Sequence, residues 1–215
     1  MKLISVNAGL PRNVEWHGRT VTTSIWKSPV QGQVHVAKLN LAGDRQSDLQ
    51  VHGGIDKAIY VYPREHYSYW HSRLGDADLP MGAFGENFTV EGLLEDQVQV
   101  GAIVRAGSAE FVVTQPRMPC FKLGIRFDRP EMVKLFLQSK RTGFYLAVRR
   151  EGEVTSGDAI EYASPPDNGL TIADIVDLYT SDAENQDLLR RVSELAALPD
   201  GWKDYFRKRL WDADA

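Results

Sequence analysis

The chain has 215 residues, enough for one domain of ordinary size or one domain with a small appendage, and its 43% apolar content with five Trp and eight Phe can build a packed core. A formal charge of −4 argues against broad nucleic-acid binding and against attachment to anionic lipid. The single cysteine excludes an intrachain disulfide, and no apolar run approaches the roughly 20 residues that span a bilayer, so a cytoplasmic protein with no nucleic-acid and no membrane partner is expected.

Residues 2–7 form a short alternating run that reads as a strand and turn rather than a signal peptide. Residues 20–26 and 33–39 are rich in β-branched side chains and flank a turn-like stretch at 28–32. A strand is predicted at 58–62, stopped by Pro63, and a helix at 64–74, where Tyr67, Trp70 and Leu74 share helical spacing. Strands follow at 86–90, 97–105 and 109–114, the last two joined by a tight turn at 106–108. A helix at 130–140 places Met132, Leu135 and Phe136 on one face, and strands at 144–149 and 159–163 complete this part. Many short strands with Gly-rich turns and few helices suggest a closed or partly closed barrel.

The chain changes character at Ser164-Pro165-Pro166-Asp167-Asn168-Gly169, which reads as a linker. Beyond it the apolar period becomes 3.6, with Ile172, Ile175, Val176 and Tyr179 on one face, Leu188, Leu189, Val192 and Leu195 on a second, and Trp202, Tyr205 and Phe206 on a third. Thr171-x-x-Asp174 and Ser181-x-x-Glu184 are candidate capping boxes. Three short helices bury little by themselves, so they should pack on each other and on the barrel or on a second subunit. The fold class is thus mainly β with α: a barrel domain over 1–163 and a three-helix domain over 168–215.

Cys120 lies in Gln115-Pro116-Arg117-Met118-Pro119-Cys120-Phe121-Lys122-Leu123. It is either a buried structural thiol or a metal ligand. Two prolines stiffen the segment, and Arg117 and Lys122 place positive charge beside the sulfur, a setting that favours a soft thiolate ligand. In Val51-His52-Gly53-Gly54-Ile55-Asp56-Lys57-Ala58, Gly53 and Gly54 would let backbone amides approach a phosphate while Lys57 supplies a cation, though a tight turn into a strand explains the pattern equally well. In Gly82-Ala83-Phe84-Gly85-Glu86-Asn87-Phe88-Thr89, Asn87 suits a pocket rim or a local turn. Lys27 is a phosphate contact or a solvated lysine. The five scattered histidines give no zinc spacing, and the Gly-x-Gly-x-x-Gly of a dinucleotide site is absent.

Taken in order, Thr23-Ser24-Ile25-Trp26-Lys27, Leu39-Asn40-Leu41-Ala42-Gly43-Asp44-Arg45-Gln46, the Val51–Ala58 stretch, Tyr62-Pro63-x-Glu65-His66-Tyr67, Phe84-Gly85-Glu86-Asn87 and the cysteine segment resemble the MOSC domain. More narrowly they resemble its bacterial branch linked to N-hydroxylaminopurine resistance, whose three-helix appendix the tail is similar to. The resemblance implies a β-barrel that holds molybdenum cofactor (molybdopterin), with Cys120 as the metal ligand and reduction of N-hydroxylated bases or related compounds as a detoxifying activity. The mitochondrial amidoxime-reducing relatives share the cysteine but differ in the flank after it, so their pterin contacts cannot be carried over. Lys27, Gly53, Gly54, Lys57, Asn87, Arg117 and Lys122 are the candidate cofactor contacts, and His52 or Glu86 the candidate proton donors beside Cys120.

No iron–sulfur or nicotinamide motif is visible, so a small N-hydroxylated substrate would be reduced with electrons from a separate reductase. A homodimer is a further expectation. The rival reading is a molybdenum-cofactor carrier, or a sulfur-transfer protein that holds a persulfide on Cys120, without substrate turnover. An interaction barrel with a helical tail would need a basic or aromatic exposed face, and thiol-peroxidatic chemistry would need a resolving cysteine that the chain lacks.

Overall fold

The computed structural model describes residues 1–48, 53–75, 77–164, 168–180 and 185–212. In chain order these residues form β1 (Lys2–Ala8), β2 (Arg12–Trp16), β3 (Arg19–Thr23), β4 (Ser28–Pro29), β5 (Gln33–Val36), β6 (Ile59–Pro63), α1 (His66–Arg73), β7 (Phe88–Glu91), β8 (Ile103–Ala106) and β9 (Ala109–Pro116). There follow α2 (Phe121–Phe127), α3 (Met132–Ser139), β10 (Phe144–Arg150), β11 (Gly152–Thr155), β12 (Ile160–Ser164), α4 (Ile172–Thr180), α5 (Gln186–Ser193) and α6 (Asp200–Asp212).

The main sheet runs in the order β12-β8-β9-β10-β6-β7-β1-β4, antiparallel throughout except for the parallel β6–β7 pair that α1 connects. Its two ends meet. Lys2 bridges Ala159, Leu3 N donates to Asp158 O at 2.9 Å, Gly157 N to Leu3 O at 2.7 Å and Ile160 N to Met1 O at 2.9 Å. β1 thereby joins the chain at β12, and the sheet closes into a barrel without a free edge there.

Strand alternation divides the apolar residues between two cores. Along β6, Ile59 and Val61 face the barrel interior with Leu3, Phe88, Phe111, Phe144 and Leu146, while Tyr60 and Tyr62 face outward. The outward tyrosines meet Trp70 of α1, Phe84 and Phe136 of α3 in a second, aromatic core. The phenols there are used: Trp70 Nε1 donates to Tyr62 Oη at 2.6 Å, and Tyr60 Oη donates to Thr142 O at 2.9 Å. Each such buried large side chain contributes roughly 1.5–3 kcal/mol, so α1 and α3 are fixed to the outside of the barrel by packing.

The helical tail packs against the barrel. Ile172, Ile175, Val176, Leu189, Val192 and Phe206 belong to the same buried cluster as the barrel interior. The Thr171–Asp174 capping box is formed, with Thr171 N donating to Asp174 Oδ2 at 2.8 Å and Asp174 N to Thr171 Oγ1 at 3.1 Å. The Ser181–Glu184 box lies outside the described residues; α5 is capped instead by Asn185, whose Oδ1 accepts from Leu188 N at 3.0 Å.

Among the elements that differ from the sequence reading are β8, β2 and β11. The expected strand over 97–105 is only Ile103–Ala106, because Val98 and Val100 turn toward the tail and exchange backbone hydrogen bonds with Ile172 and Leu170. β2 was not expected, since none of its residues is fully buried; it is held by pairing with β3 around a turn in which His17 and Gly18 both have positive φ. β11 was likewise unmarked and exists through its pairing with β5.

Candidate active site

β9 ends at Pro116, a proline that cannot continue the ladder, and the chain turns through Arg117 and Pro119 into α2. Cys120 is the residue that opens that helix, with extended backbone (φ −124°), and is half-buried. Its side chain lines a narrow hollow of about 90 Å³ that opens to solvent. Lys27, Lys57, Arg117 and Lys122 line the same hollow, with Tyr60, Tyr145 and Phe84 supplying its aromatic surface. Residues far apart in sequence thus converge where β6, β9 and β10 meet the loops before β4, β6 and β7.

The four cations are held differently. Lys27 is buried and forms an ion pair with Asp44, whose other oxygen accepts from Asn87 Nδ2 at 2.8 Å. Burial pushes the Lys27 ammonium below its usual pKa, and Asp44 opposes that shift. Gly9 N also donates to Asp44, at 2.9 Å. Gly82 and Gly85 let this layer close: a Cβ at Gly82 would sit 2.8 Å from Lys27 O and one at Gly85 2.9 Å from an Ile25 side-chain carbon, and both have positive φ. Lys122 is buried with its ammonium 3.7 Å from the Asp48 carboxylate. Lys57 is half-buried at the end of a short 3₁₀ turn, and burial lowers its pKa against the pull of Asp56.

Arg117 stands apart. It is buried, its guanidinium carbon lies 5.2 Å from the Tyr60 ring centre and 5.1 Å from that of Phe136, and its Nη1 has no hydrogen-bond partner among the described residues. Ser24 Oγ, on the same wall, is likewise buried without a partner. A buried guanidinium nitrogen and hydroxyl without partners are costly unless an acceptor completes them. Anionic, oxygen-rich groups such as a phosphate satisfy both, with Arg offering a planar fork. Tyr60 and Tyr145, paired across β6 and β10, are raised in pKa by burial and therefore line the hollow as protonated phenols.

The structure does not gather every candidate. Glu86 is fully buried and lies outside the lining of the hollow. Its carboxylate accepts from Tyr67 Oη, from Thr89 Oγ1 at 2.9 Å, from Gly82 N at 2.9 Å and from Phe84 N at 3.1 Å. Those four donors use its acceptor sites and make it the clasp of the 82–86 loop; it cannot reach a substrate as a proton donor. Asn87 lines the hollow, but its amide is spent on Tyr60 N, Asp44 and Asn7 O. Gly53 and Gly54 border a neighbouring groove instead of the hollow. His52 lies outside the described residues. Tyr60, Tyr145 and Ser24 were missed by sequence reasoning, because a tyrosine in a strand gives no sign of which face it occupies; Asp44 was within a quoted motif, and an acidic residue there was the available signal for a buried lysine partner.

Fold, hollow and half-buried thiol define a protein of the MOSC domain family, and the chain belongs to it. The MOSC domain model matches residues 48–161, and the YiiM-like 3-alpha helix domain model matches residues 170–211. The chain is 39% identical to YflK of Bacillus subtilis over 96% of its own length and 93% of that protein. It superposes on the crystal structure of YiiM from Geobacillus stearothermophilus with a TM-score of 0.82 and 35% identity, covering 97% of this chain and 98% of that one. A longer Gibberella moniliformis protein named a reductase is 28% identical over 98% of this chain, which spans 38% of that protein. No helix among the described residues is long and apolar enough to cross a membrane.

Proposed function

We propose that this protein is a molybdenum-cofactor-dependent reductase that removes the oxygen from N-hydroxylated compounds, N-hydroxylated purine bases among them. The observation that carries the reading is that the Cys120 thiol and the buried Arg117 side chain, whose Nη1 has no hydrogen-bond partner among the described residues, line one hollow.

The donor set fits the group. Among the described residues no three His, Cys, Asp or Glu side chains gather as a metal site, so the chain offers one thiol, as suits a metal already held by a dithiolene. Cys120 would be the protein ligand. Arg117 and Lys122 would hold the pterin phosphate, Arg by a bidentate contact and the lysine as a point charge. Lys27 would act at one remove, since its charge is already matched by Asp44. When bound, the cofactor supplies a two-electron centre that accepts oxygen.

The net change is R–NHOH + 2 H⁺ + 2 e⁻ → R–NH₂ + H₂O. Lys57 is suited to deliver a proton, because half-burial lowers its pKa and makes its ammonium a better acid than an exposed lysine. Tyr145 keeps its proton and can donate a hydrogen bond to the substrate oxygen, whereas the Tyr60 hydroxyl is already donated to Thr142 O. Electrons would come from a separate reductase. The test is protein made in a cofactor-producing host, with molybdenum measured per chain for wild type and Cys120→Ala, and turnover of N-hydroxylaminopurine followed with a reduced dye. Molybdenum lost with Cys120, together with dye-driven formation of the amine, is expected. Bound molybdenum without turnover would leave a carrier, and equal molybdenum in both proteins would overturn the ligand role.

A further inference from the structure

A second, wider groove of about 440 Å³ lies beside the hollow, between the barrel rim and the helical tail. The barrel contributes Lys57 and Met118; the tail contributes Tyr179, Trp202 and Tyr205. Its volume is that of an ordinary small-molecule site. Lys57 lines both the groove and the hollow. Met118 and Cys120 are two residues apart on one connecting segment, one facing the groove and the other the hollow. Two residues of extended chain span about 6–7 Å, so a ligand with its reacting atom near Cys120 and a planar body of that length would reach the groove.

The chemistry of the groove differs from that of the hollow. Tyr179 stands 5.5 Å from Trp202 and 5.3 Å from Tyr205, ring centre to ring centre. Tyr179 and Tyr205 are nonetheless 38% and 40% exposed, far more than large rings at rest in a core. Trp202 is fixed in place, its Nε1 donating to Gln115 Oε1 at 2.6 Å. Gly54 leaves the facing side open, with no atom of the described residues within 4 Å of where a Cβ would stand. Lys57 is accompanied in the groove by Asp56, so the groove gathers no excess of positive charge. Aromatic walls without net charge suit an uncharged planar ring, for which stacking is strong and tolerant of substituents. The same walls open to solvent suit a ligand that enters and leaves at each turnover better than a resident one.

We infer that this groove binds the heteroaromatic ring of the substrate, with Trp202 and Tyr205 as the stacking wall and Met118 as the floor, while the N–OH group extends past Lys57 toward Cys120. The inference rests on the reductase reading for the location of the reacting group. It makes the three-helix tail the element that selects ring-bearing substrates, and the barrel the element that holds the chemistry.

The test uses the full chain, with Tyr205→Ala and Trp202→Leu, the second checked for its melting temperature because Trp202 is tied to Gln115. Adenine binding to cofactor-free protein is measured by calorimetry. Wild type should bind adenine, and each variant should bind it about tenfold more weakly. In cofactor-loaded protein the ratio of KM for N-hydroxylaminopurine to KM for hydroxylamine, which has no ring, should rise by a similar factor, with molybdenum per chain unchanged. Failure of wild type to bind adenine, or equal affinity in Tyr205→Ala, overturns the groove. So does a fall in molybdenum in the variants, which would assign the groove to the pterin. Weakened adenine binding in variants of a wild type that turns nothing over would support the groove and sink the reductase reading instead.

Discussion

The hollow and the groove share Lys57 and one stretch of connecting chain, yet they are built on opposite principles. The hollow is made of barrel residues and holds charge: a thiol, four cations, two phenols. The groove is closed by the helical tail and is lined by exposed rings. Charged groups need a scaffold that fixes them against one another, and a barrel of paired strands supplies it. Ring recognition needs only a wall of the right shape, which three packed helices can present. Within the hollow the same contrast recurs on a smaller scale, since Lys27 is matched by Asp44 and the Nη1 of Arg117 has no partner among the described residues.

Mutations should separate these roles. The largest effect is expected from Cys120→Ala, which should abolish molybdenum retention and dye-driven reduction while changing stability by no more than about 1 kcal/mol, because the thiol is half-buried. Metal analysis beside a thermal melt reads both quantities, and a large fall in melting temperature would return Cys120 to a structural role.

Next comes Lys27→Met, which leaves the Asp44 carboxylate buried without its cation. Breaking such a pair costs about 3–5 kcal/mol, which for a chain of this size is a melting temperature lower by about 10 °C. Arg117→Ala should do the converse. It removes a cation whose Nη1 has no hydrogen-bond partner among the described residues, so cofactor retention should fall by about 10–100-fold, the worth of a charged hydrogen bond, with a smaller loss of stability. Arg117→Lys should restore only part of the retention, since an ammonium lacks the fork. If Lys27→Met lost cofactor without losing stability, the contrast between the two cations would collapse.

The smallest effect is expected at Glu86. Glu86→Gln replaces an acceptor oxygen by a donor facing Gly82 N, Phe84 N, Tyr67 and Thr89, at a cost of about 1–3 kcal/mol. Burial raises the Glu86 pKa above its ordinary 4.5. The folded protein therefore holds a proton that the unfolded chain has released, and this group's contribution to stability is full below about pH 4.5 and is lost as pH rises through the folded pKa. Wild type should lose stability relative to the non-titrating variant over that window, as denaturant melts across the acid range would report. A constant difference would show that Glu86 titrates normally.

Sequence pattern alone determined the strand-rich first part, the change to a 3.6 period near residue 164, the first tail cap and the family, because these depend on neighbours in the chain and on motif order. It also marked Cys120, Arg117, Lys122, Lys57 and Lys27, since cysteine and clustered basic residues are conspicuous as types. Only the tertiary structure decided that Asp44 neutralises Lys27, that Asn87 and Glu86 are spent on partners within the protein, that Tyr60 and Tyr145 line the hollow with the thiol, and that Gly53 and Gly54 border the groove. Each of those depends on pairing across the closed barrel, as β1 meeting β12 and Val98 leaving the sheet for Ile172 show. Long-range register fixes which face a side chain takes, and local periodicity carries no record of it.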